Sequence, residues 1–146
     1  MSPSNDPFDL NRFVEAQNLV IDDVLSELRA GRKRSHWMWF VFPQIAGLGS
    51  SPMAVRFAIR SPGEARAYLA HPLLGQRLGD CVRLVVAAHR PLAEIFGPPD
   101  DLKFRSCLTL FAAAAPEENV FAEALAACCS GERDPRTLER LAARGS

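Results

Sequence analysis

The chain has 146 residues, enough for one hydrophobic core, and its 48% hydrophobic and 23% charged residues are typical of a globular domain. Its 17 basic and 17 acidic residues cancel, so the global basic field of a nucleic-acid-binding protein is missing and we expect no nucleic-acid partner. No stretch approaches the roughly 20 apolar residues of a membrane span, and residues 1–6 do not begin a signal peptide, so we expect a cytoplasmic protein without a membrane partner.

The four cysteines argue against a metal site and against a disulfide framework. Cys81 and Cys107 lie in apolar helical patterns, and Cys128 and Cys129 are adjacent, which is a poor geometry for pairing with each other. No C-x-x-C or Cys/His ligand spacing is present. We therefore predict reduced, mostly buried thiols and no metal, and the sequence indicates no particular cofactor.

Hydrophobic periodicity predicts helices from the beginning of the chain. The first starts at Asp6-Pro7, where a capping carboxylate precedes a proline, and its apolar stripe continues to Leu28 before Gly31 ends it. Ser35 can cap a short helix over residues 36–42. A buried strand is the alternative for so short an apolar run, but helical neighbours on both sides favour the helix.

A glycine-rich loop over residues 43–51 follows, and the rest of the chain again predicts helices. Each predicted helix begins at or next to a capping residue or a proline. The predicted helices are 52–59, 62–70, 73–89, 102–114, 116–129 and one from Asp134-Pro135. Residues 92–96 form a short turn between the third and the fourth of these. No run alternates with period two. We predict an all-α fold, a compact single-domain bundle of seven or eight short helices without a sheet, spanning residues 1–146 and ordered from about 7 to about 142.

The candidate site is the aromatic segment, residues 31–51, in which both tryptophans lie close to several cations. A tryptophan and a cation at the edge of a cleft suit a planar or phosphate-bearing ligand, through stacking and charge-assisted hydrogen bonds. Lys33, Trp39 and Gln44 are the candidate binding residues, and His36 is the candidate acid–base residue. The alternative is that the tryptophans are only core and His36 is structural.

Two further polar residues lie in the apolar pattern of the helix predicted at 102–114. Lys103 and Ser106 are three residues apart and so share one side of that helix, where they can bind phosphate or act as base and nucleophile. The alternative is a solvated face along which Lys103 extends to water. The loop Gly47–Ser51 precedes a helix start but lacks the spacing and the lysine of a P-loop.

Residues 35–44, Ser-His-Trp-Met-Trp-Phe-Val-Phe-Pro-Gln, carry a specific resemblance to a known family. With other segments over nearly the whole chain, they resemble a small all-helical bacterial family of unknown function that is often labelled calpastatin; the segments are 12–17, 31–51, 64–78, 95–97, 101–111 and 131–138. The resemblance implies an all-α single domain and supplies no established activity or catalytic residue. Inhibitory segments of calpastatin are disordered and repetitive, whereas this chain is compact and unrepeated.

We predict a pocket for a small molecule, a nucleotide or an ADP-ribose-like ligand, built around the aromatic segment and completed by Lys103 and Ser106. The Asp101-x-Lys103 pattern is similar to helical domains that process NAD and ADP-ribose, which favours this ligand class. Whether the protein is an enzyme stays open. The alternative function is a non-enzymatic protein-interaction or structural module with a flat apolar patch, whose protein partner the sequence does not identify.

Overall fold

The computed structural model describes residues 6–144, so both ends of the predicted domain lie outside the described residues. Those residues form ten helices: α1 (Asn11–Asn18), α2 (Ile21–Arg29), α3 (Met38–Val41), α4 (Pro52–Arg56), α5 (Pro62–Ala70), α6 (Leu74–Ala87), α7 (Leu92–Ile95), α8 (Asp100–Ala114), α9 (Asn119–Cys129) and α10 (Pro135–Arg144). The described chain has no strand beyond an isolated parallel bridge between Ile45 and Ile59. The predicted all-α class is confirmed.

Two local differences raise the number of helices from the predicted seven or eight to ten. The predicted first helix is two helices, because Val20 leaves the helical conformation at φ −134° and ψ −1° and its N–H bonds Gln17 O at 3.0 Å. Both pieces bury one face in the same core, so the apolar stripe continues across the break and hides it from a periodicity analysis. The predicted turn after Pro91 contains the four-residue helix α7.

The aromatic segment supplies the centre of the core. Trp37 is completely buried, and Phe42 stands between its ring and that of Phe104 on α8, with ring centroids 6.0 Å and 4.9 Å away respectively. Such tilted and edge-to-face pairs add to the free energy gained by burial. For Trp37 the purely structural alternative is therefore the one observed.

Glu27 on α2 fixes the entry to the aromatic segment. Its carboxylate accepts hydrogen bonds from the Arg34 N–H at 2.7 Å, from the N–H and hydroxyl of Ser35, and from the Trp37 indole at 3.0 Å. Ser35 thus bonds Glu27 and does not cap the short helix, which begins at Met38 and not at residue 36. Partial desolvation raises the pKa of Glu27, but the four hydrogen bonds outweigh it and lower the pKa to about 2.

A buried ion pair joins the first helix to the middle of the chain. Arg12 and Glu64 meet at 2.8 Å, with side chains only 8% and 1% exposed. The remaining guanidinium N–H groups donate to main-chain carbonyls of Phe8, Asp9, Arg56 and Ala58 at 2.7–2.9 Å. All five arginine donors are therefore used, which no lysine could reproduce.

We predict that Glu27→Gln lowers the free energy of unfolding by about 1–2 kcal/mol at pH 7, a value reduced for the partial exposure of the carboxylate. Because the folded pKa lies below the usual 4.5, this stabilisation is complete above pH 4.5 and is lost as the pH falls toward about 2. Urea unfolding at several pH values should show the wild type and the variant converging over that range. A constant difference between them would contradict the assignment.

We also predict that Arg12→Met lowers the free energy of unfolding by about 3–5 kcal/mol, because the buried Glu64 carboxylate loses its buried partner and keeps only the exposed Arg60. Arg60 is the matched control, since it contacts the same carboxylate at 3.4 Å but is 63% exposed. Arg60→Met should cost less than about 1 kcal/mol. Equal losses from the two variants in urea unfolding would show that burial does not determine the strength of these pairs.

Candidate functional site

A cavity of about 480 Å³ lies between the loop that follows the aromatic residues and two helices from the C-terminal half. Its walls come from Trp39, from positions within residues 42–58, from the beginning of α8 within residues 99–106, and from Asp134 and Arg136 at the beginning of α10. Segments far apart in sequence thus converge on one space. This geometry is typical of a site for a small ligand.

Hydrogen bonds at its two ends hold the loop in place. The Ile59 N–H donates to Gln44 O at 2.9 Å and the Ala46 N–H donates to Ile59 O at 2.8 Å, which closes the neck of the loop. The Ser51 hydroxyl accepts the Ala54 N–H at 3.2 Å and so caps α4, as the Ser51-Pro52 pattern predicts. The loop therefore leaves and re-enters the core at nearly the same point.

Close packing shapes the loop between these ends. At Gly47, where φ is +100°, a Cβ atom would lie 3.0 Å from the guanidinium carbon of Arg140, so α10 packs directly on the glycine. At Gly49 a Cβ would lie 2.8 Å from the Cβ of Ala54. Both glycines allow the main chain to approach its neighbours more closely than a side chain would permit.

The cavity has an aromatic wall and a cationic rim. Trp39 is half-buried in the wall, and the Lys103 ammonium lies 5.9 Å from its ring centroid, a cation–π distance. Lys103, Arg105 and Arg136 carry positive charge in the lining, against a single carboxylate, that of Asp134. The local charge is therefore positive although the whole chain is neutral.

Asp134 is held where α8 meets α10. Its Oδ2 accepts the Ser106 hydroxyl at 2.8 Å, the Thr137 hydroxyl, and the Thr137 N–H at 3.3 Å, while its own N–H donates to the Thr109 hydroxyl at 2.9 Å. Desolvation raises the pKa of Asp134, but the hydrogen bonds from Thr137 and Ser106, together with the main-chain N–H of Arg136, prevail and lower it. The side chain therefore stays a carboxylate and caps α10, as the Asp134-Pro135 pattern predicts.

Four of the six candidate residues from the sequence lie together: Trp39, Gln44, Lys103 and Ser106 all line the cavity. Lys33 and His36 lie outside the lining. The Glu27 carboxylate holds Arg34 and Trp37, on the two sides of His36, against α2, and the Lys33 N–H donates to Ile95 O at 2.7 Å. Their predicted roles, ligand binding by Lys33 and acid–base chemistry by His36, therefore stay predictions without a place in this cavity.

The side chains of those two residues have different surroundings. Lys33 contacts Asp100 at 3.0 Å and lies 5.2 Å from the Trp37 ring centroid, so it belongs to the support of the core. Its connection to the cavity is indirect, since Asp100 also contacts Lys103 at 3.6 Å. His36 is exposed.

Arg105, Asp134 and Arg136 were missed as site residues. The Asp134-Pro135 pair indicated a helix start, and that signal was correct, but nothing in the local sequence indicates that this start packs against α8. Arg105 lies two residues from Lys103 and was not distinguished from an ordinary surface arginine. Spacing along one helix identifies neighbours on that helix only.

The described residues offer neither a grouped metal site nor an activated thiol. Residues 6–144 contain no group of three His, Cys, Asp or Glu side chains placed to hold a metal ion. All four cysteines are unpaired, and burial raises the pKa of the Cys107 thiol and that of Cys81, the latter to about 12. A thiol becomes a good nucleophile when its pKa is lowered, so neither of these two is activated.

The fold and the cavity together define an all-helical protein with an aromatic, cation-rimmed pocket. The family described as protein of unknown function, DUF1810, matches residues 7–141, and the chain belongs to that family. The chain is also similar to the crystal structure of the conserved hypothetical protein Rv1873 from Mycobacterium tuberculosis. The two share 58% identity with a TM-score of 0.92, over 94% of this chain and 99% of that one.

These names give no activity, ligand or partner, and neither carries the calpastatin label. No curated protein matches the sequence. Within residues 6–144 no helix has the length and apolar character needed to cross a membrane.

We predict that Gly49→Ala destabilises the protein by about 1–3 kcal/mol, because the added methyl group overlaps Ala54 and the loop must shift. Ala54→Gly alone should cost about 1 kcal/mol, the usual helix-propensity penalty. The double variant should lose less free energy of unfolding than the two single losses added together, since the Ala54→Gly change removes the overlap. Additive losses in thermal unfolding would contradict the packing described for the loop.

Proposed function

We propose that the cavity binds a small anionic molecule with a planar group, of the nucleotide or ADP-ribose class. The observation that carries this proposal is the convergence of Trp39, Gln44, Lys103 and Ser106 on one space, although they come from two distant segments. Residues selected from the sequence only for their ligand chemistry would not be expected to line the same cavity by chance. The size also supports it, since about 480 Å³ falls in the range of roughly 300–1,000 Å³ typical of ligand pockets.

Charge supports an anionic ligand. Three cationic side chains face the space, and the one carboxylate among the lining residues already accepts three hydrogen bonds. Lys103 is available because its contact to Asp100, at 3.6 Å, is longer than a hydrogen bond. A phosphate or carboxylate oxygen of a ligand would therefore accept charge-assisted hydrogen bonds from Lys103, whose ammonium group is not already hydrogen-bonded to Asp100.

The aromatic wall supports a planar group on the same ligand. Trp39 keeps part of its ring accessible beside the buried Phe42 and Phe57. A base can stack on such a ring while the Gln44 amide, which both donates and accepts, contacts its edge. The accessible tryptophan favours this proposal over the alternative of an interaction module, in which both tryptophans of the aromatic segment would belong only to the core.

The same reasoning leads us to propose binding and to leave a reaction aside. His36, the candidate acid–base residue, is exposed and outside the lining, so it has no part in the proposed pocket.

We also propose a cytoplasmic location, which the four unpaired cysteines support because reduced thiols are typical of that compartment.

We expect nucleotides from a panel of ADP, NAD, ADP-ribose, sugar phosphates and amino acids to stabilise the protein in a thermal-shift screen. A ligand at 100 times its Kd adds roughly 2.7 kcal/mol to the free energy of unfolding. Titration calorimetry of Lys103→Gln should then show affinity about tenfold or more weaker, since a charge-assisted hydrogen bond is lost.

His36→Ala is the matched control for that titration, because it removes an exposed residue of the same sequence motif that does not line the cavity. We expect it to bind as the wild type does. Stabilisation by no member of the panel would reject the proposal. Loss of binding in His36→Ala with retention in Lys103→Gln would move the site to the other end of the aromatic segment.

A further inference from the structure

The two oxygens of the Asp134 carboxylate have different surroundings. Oδ2 accepts the hydrogen bonds from Ser106 and Thr137 that hold the beginning of α10. The hydroxyls of Ser106 and Thr137 leave Oδ1 free, and the cation next to Oδ1 is Arg105, whose Nη2 atom lies 3.9 Å away. That distance is an ion-pair contact but not a hydrogen bond.

Oδ1 is nevertheless not sealed inside the protein. Among residues 6–144, the only buried side-chain nitrogen or oxygen without a hydrogen-bond partner is Arg105 Nε. The Asp134 side chain itself keeps 10% of its surface exposed. Because Asp134 lines the cavity, we place the exposed part of its carboxylate in that cavity.

We infer that Asp134 Oδ1 is a ligand-binding acceptor, and that it accepts hydrogen bonds from the ribose hydroxyls of the proposed nucleotide ligand. This inference rests on the proposed function and adds the part of the ligand that the carboxylate contacts. An ionised carboxylate can only accept hydrogen bonds, so the ligand must bring a donor to this point. Ribose hydroxyls are such donors, and acidic side chains recognise them in other nucleotide sites.

The charges around Asp134 favour a hydroxyl donor over an ammonium group. Lys103, Arg105 and Arg136 line the same space, and together they repel a ligand cation while they attract phosphate. A neutral hydroxyl avoids that repulsion and still satisfies Oδ1. In this arrangement the three cationic side chains bind the anionic group of the ligand, and Asp134 Oδ1 accepts hydrogen bonds from its sugar.

The test on the wild-type protein compares ADP with 2′,3′-dideoxy-ADP, which lacks both ribose hydroxyls and keeps the base and the phosphates. We expect the dideoxy compound to bind about tenfold or more weakly in titration calorimetry, because a hydrogen bond to a charged group is lost. This comparison needs no substitution, so folding of a variant does not affect it.

Asp134→Asn then assigns the effect to the carboxylate. Asparagine is as good a helix cap as aspartate, and its amide oxygen can still accept from Ser106 and Thr137, so α10 should keep its start. Its NH₂ group would take the place of the free oxygen, so the charge-assisted bond to the ribose is lost. We expect the ratio of the two affinities to fall to about threefold or less, mainly through weaker binding of ADP.

The possible outcomes separate this inference from the proposed function. Equal binding of ADP and the dideoxy compound by the wild type would overturn the role of Asp134 and leave the nucleotide pocket standing. An unchanged ratio in Asp134→Asn would also overturn it, since the hydroxyls would then be recognised elsewhere. Binding of neither compound would reject the nucleotide pocket, and this inference with it.

Discussion

The cavity depends on the ion pair between Arg12 and Glu64. A carboxylate that is 1% exposed needs a partner with comparable burial, because an unpaired charge in the interior costs several kcal/mol. Arg12 is that partner, and two of its other donors bind the carbonyls of Arg56, the last residue of α4, and of Ala58, two residues further on. One side chain therefore satisfies the buried charge of α5 and fixes the far end of the cavity loop.

That constraint explains how a loop rich in glycine can form a wall. Its near end is fixed by the exchange of hydrogen bonds between residues 44–46 and Ile59, and its far end by Arg12. Arg140 on α10 packs against the outside of the loop at Gly47. With both ends and one side held by the core, the loop needs no strand or long helix of its own to keep its position.

Local signals in the sequence predicted several helix starts correctly. Ser51, Ser61 and Asp134 accept main-chain N–H groups at the starts of α4, α5 and α10, since a cap involves residues only a few positions apart. The predicted start at Asp6-Pro7 is wrong, because α1 begins at Asn11 and the Asp6 carboxylate instead accepts the N–H groups of Leu10 and Asn11 across the preceding turns. Ser35 does not cap a helix either, and its partner Glu27 is eight residues away on another helix. The break between α1 and α2 was also missed, because tertiary packing keeps the apolar stripe continuous there.

In the candidate site too, residues recognisable by their type were predicted, and residues brought there by long-range contacts were not. Trp39, Gln44, Lys103 and Ser106 could be chosen from their chemistry in apolar surroundings, and they share the cavity. Arg105, Asp134 and Arg136 could not, because their importance comes from the packing of α8 against α10, which no spacing encodes. His36 belongs to the same sequence motif as Trp39, yet it is exposed and outside the cavity lining, while Trp37 between them is buried in the core.

Asp100 connects the structural and the cavity-lining halves of the aromatic segment. Its two carboxylate oxygens contact Lys33 at 3.0 Å and Lys103 at 3.6 Å, and these lysines lie over Trp37 and Trp39 respectively. Because the closer and more buried contact is the one to Lys33, Asp100 would keep its charge compensated if an anion drew Lys103 into the cavity. The cost of recruiting Lys103 is therefore small, which is why the lysine that supports the core and the lysine that faces the cavity can share one aspartate.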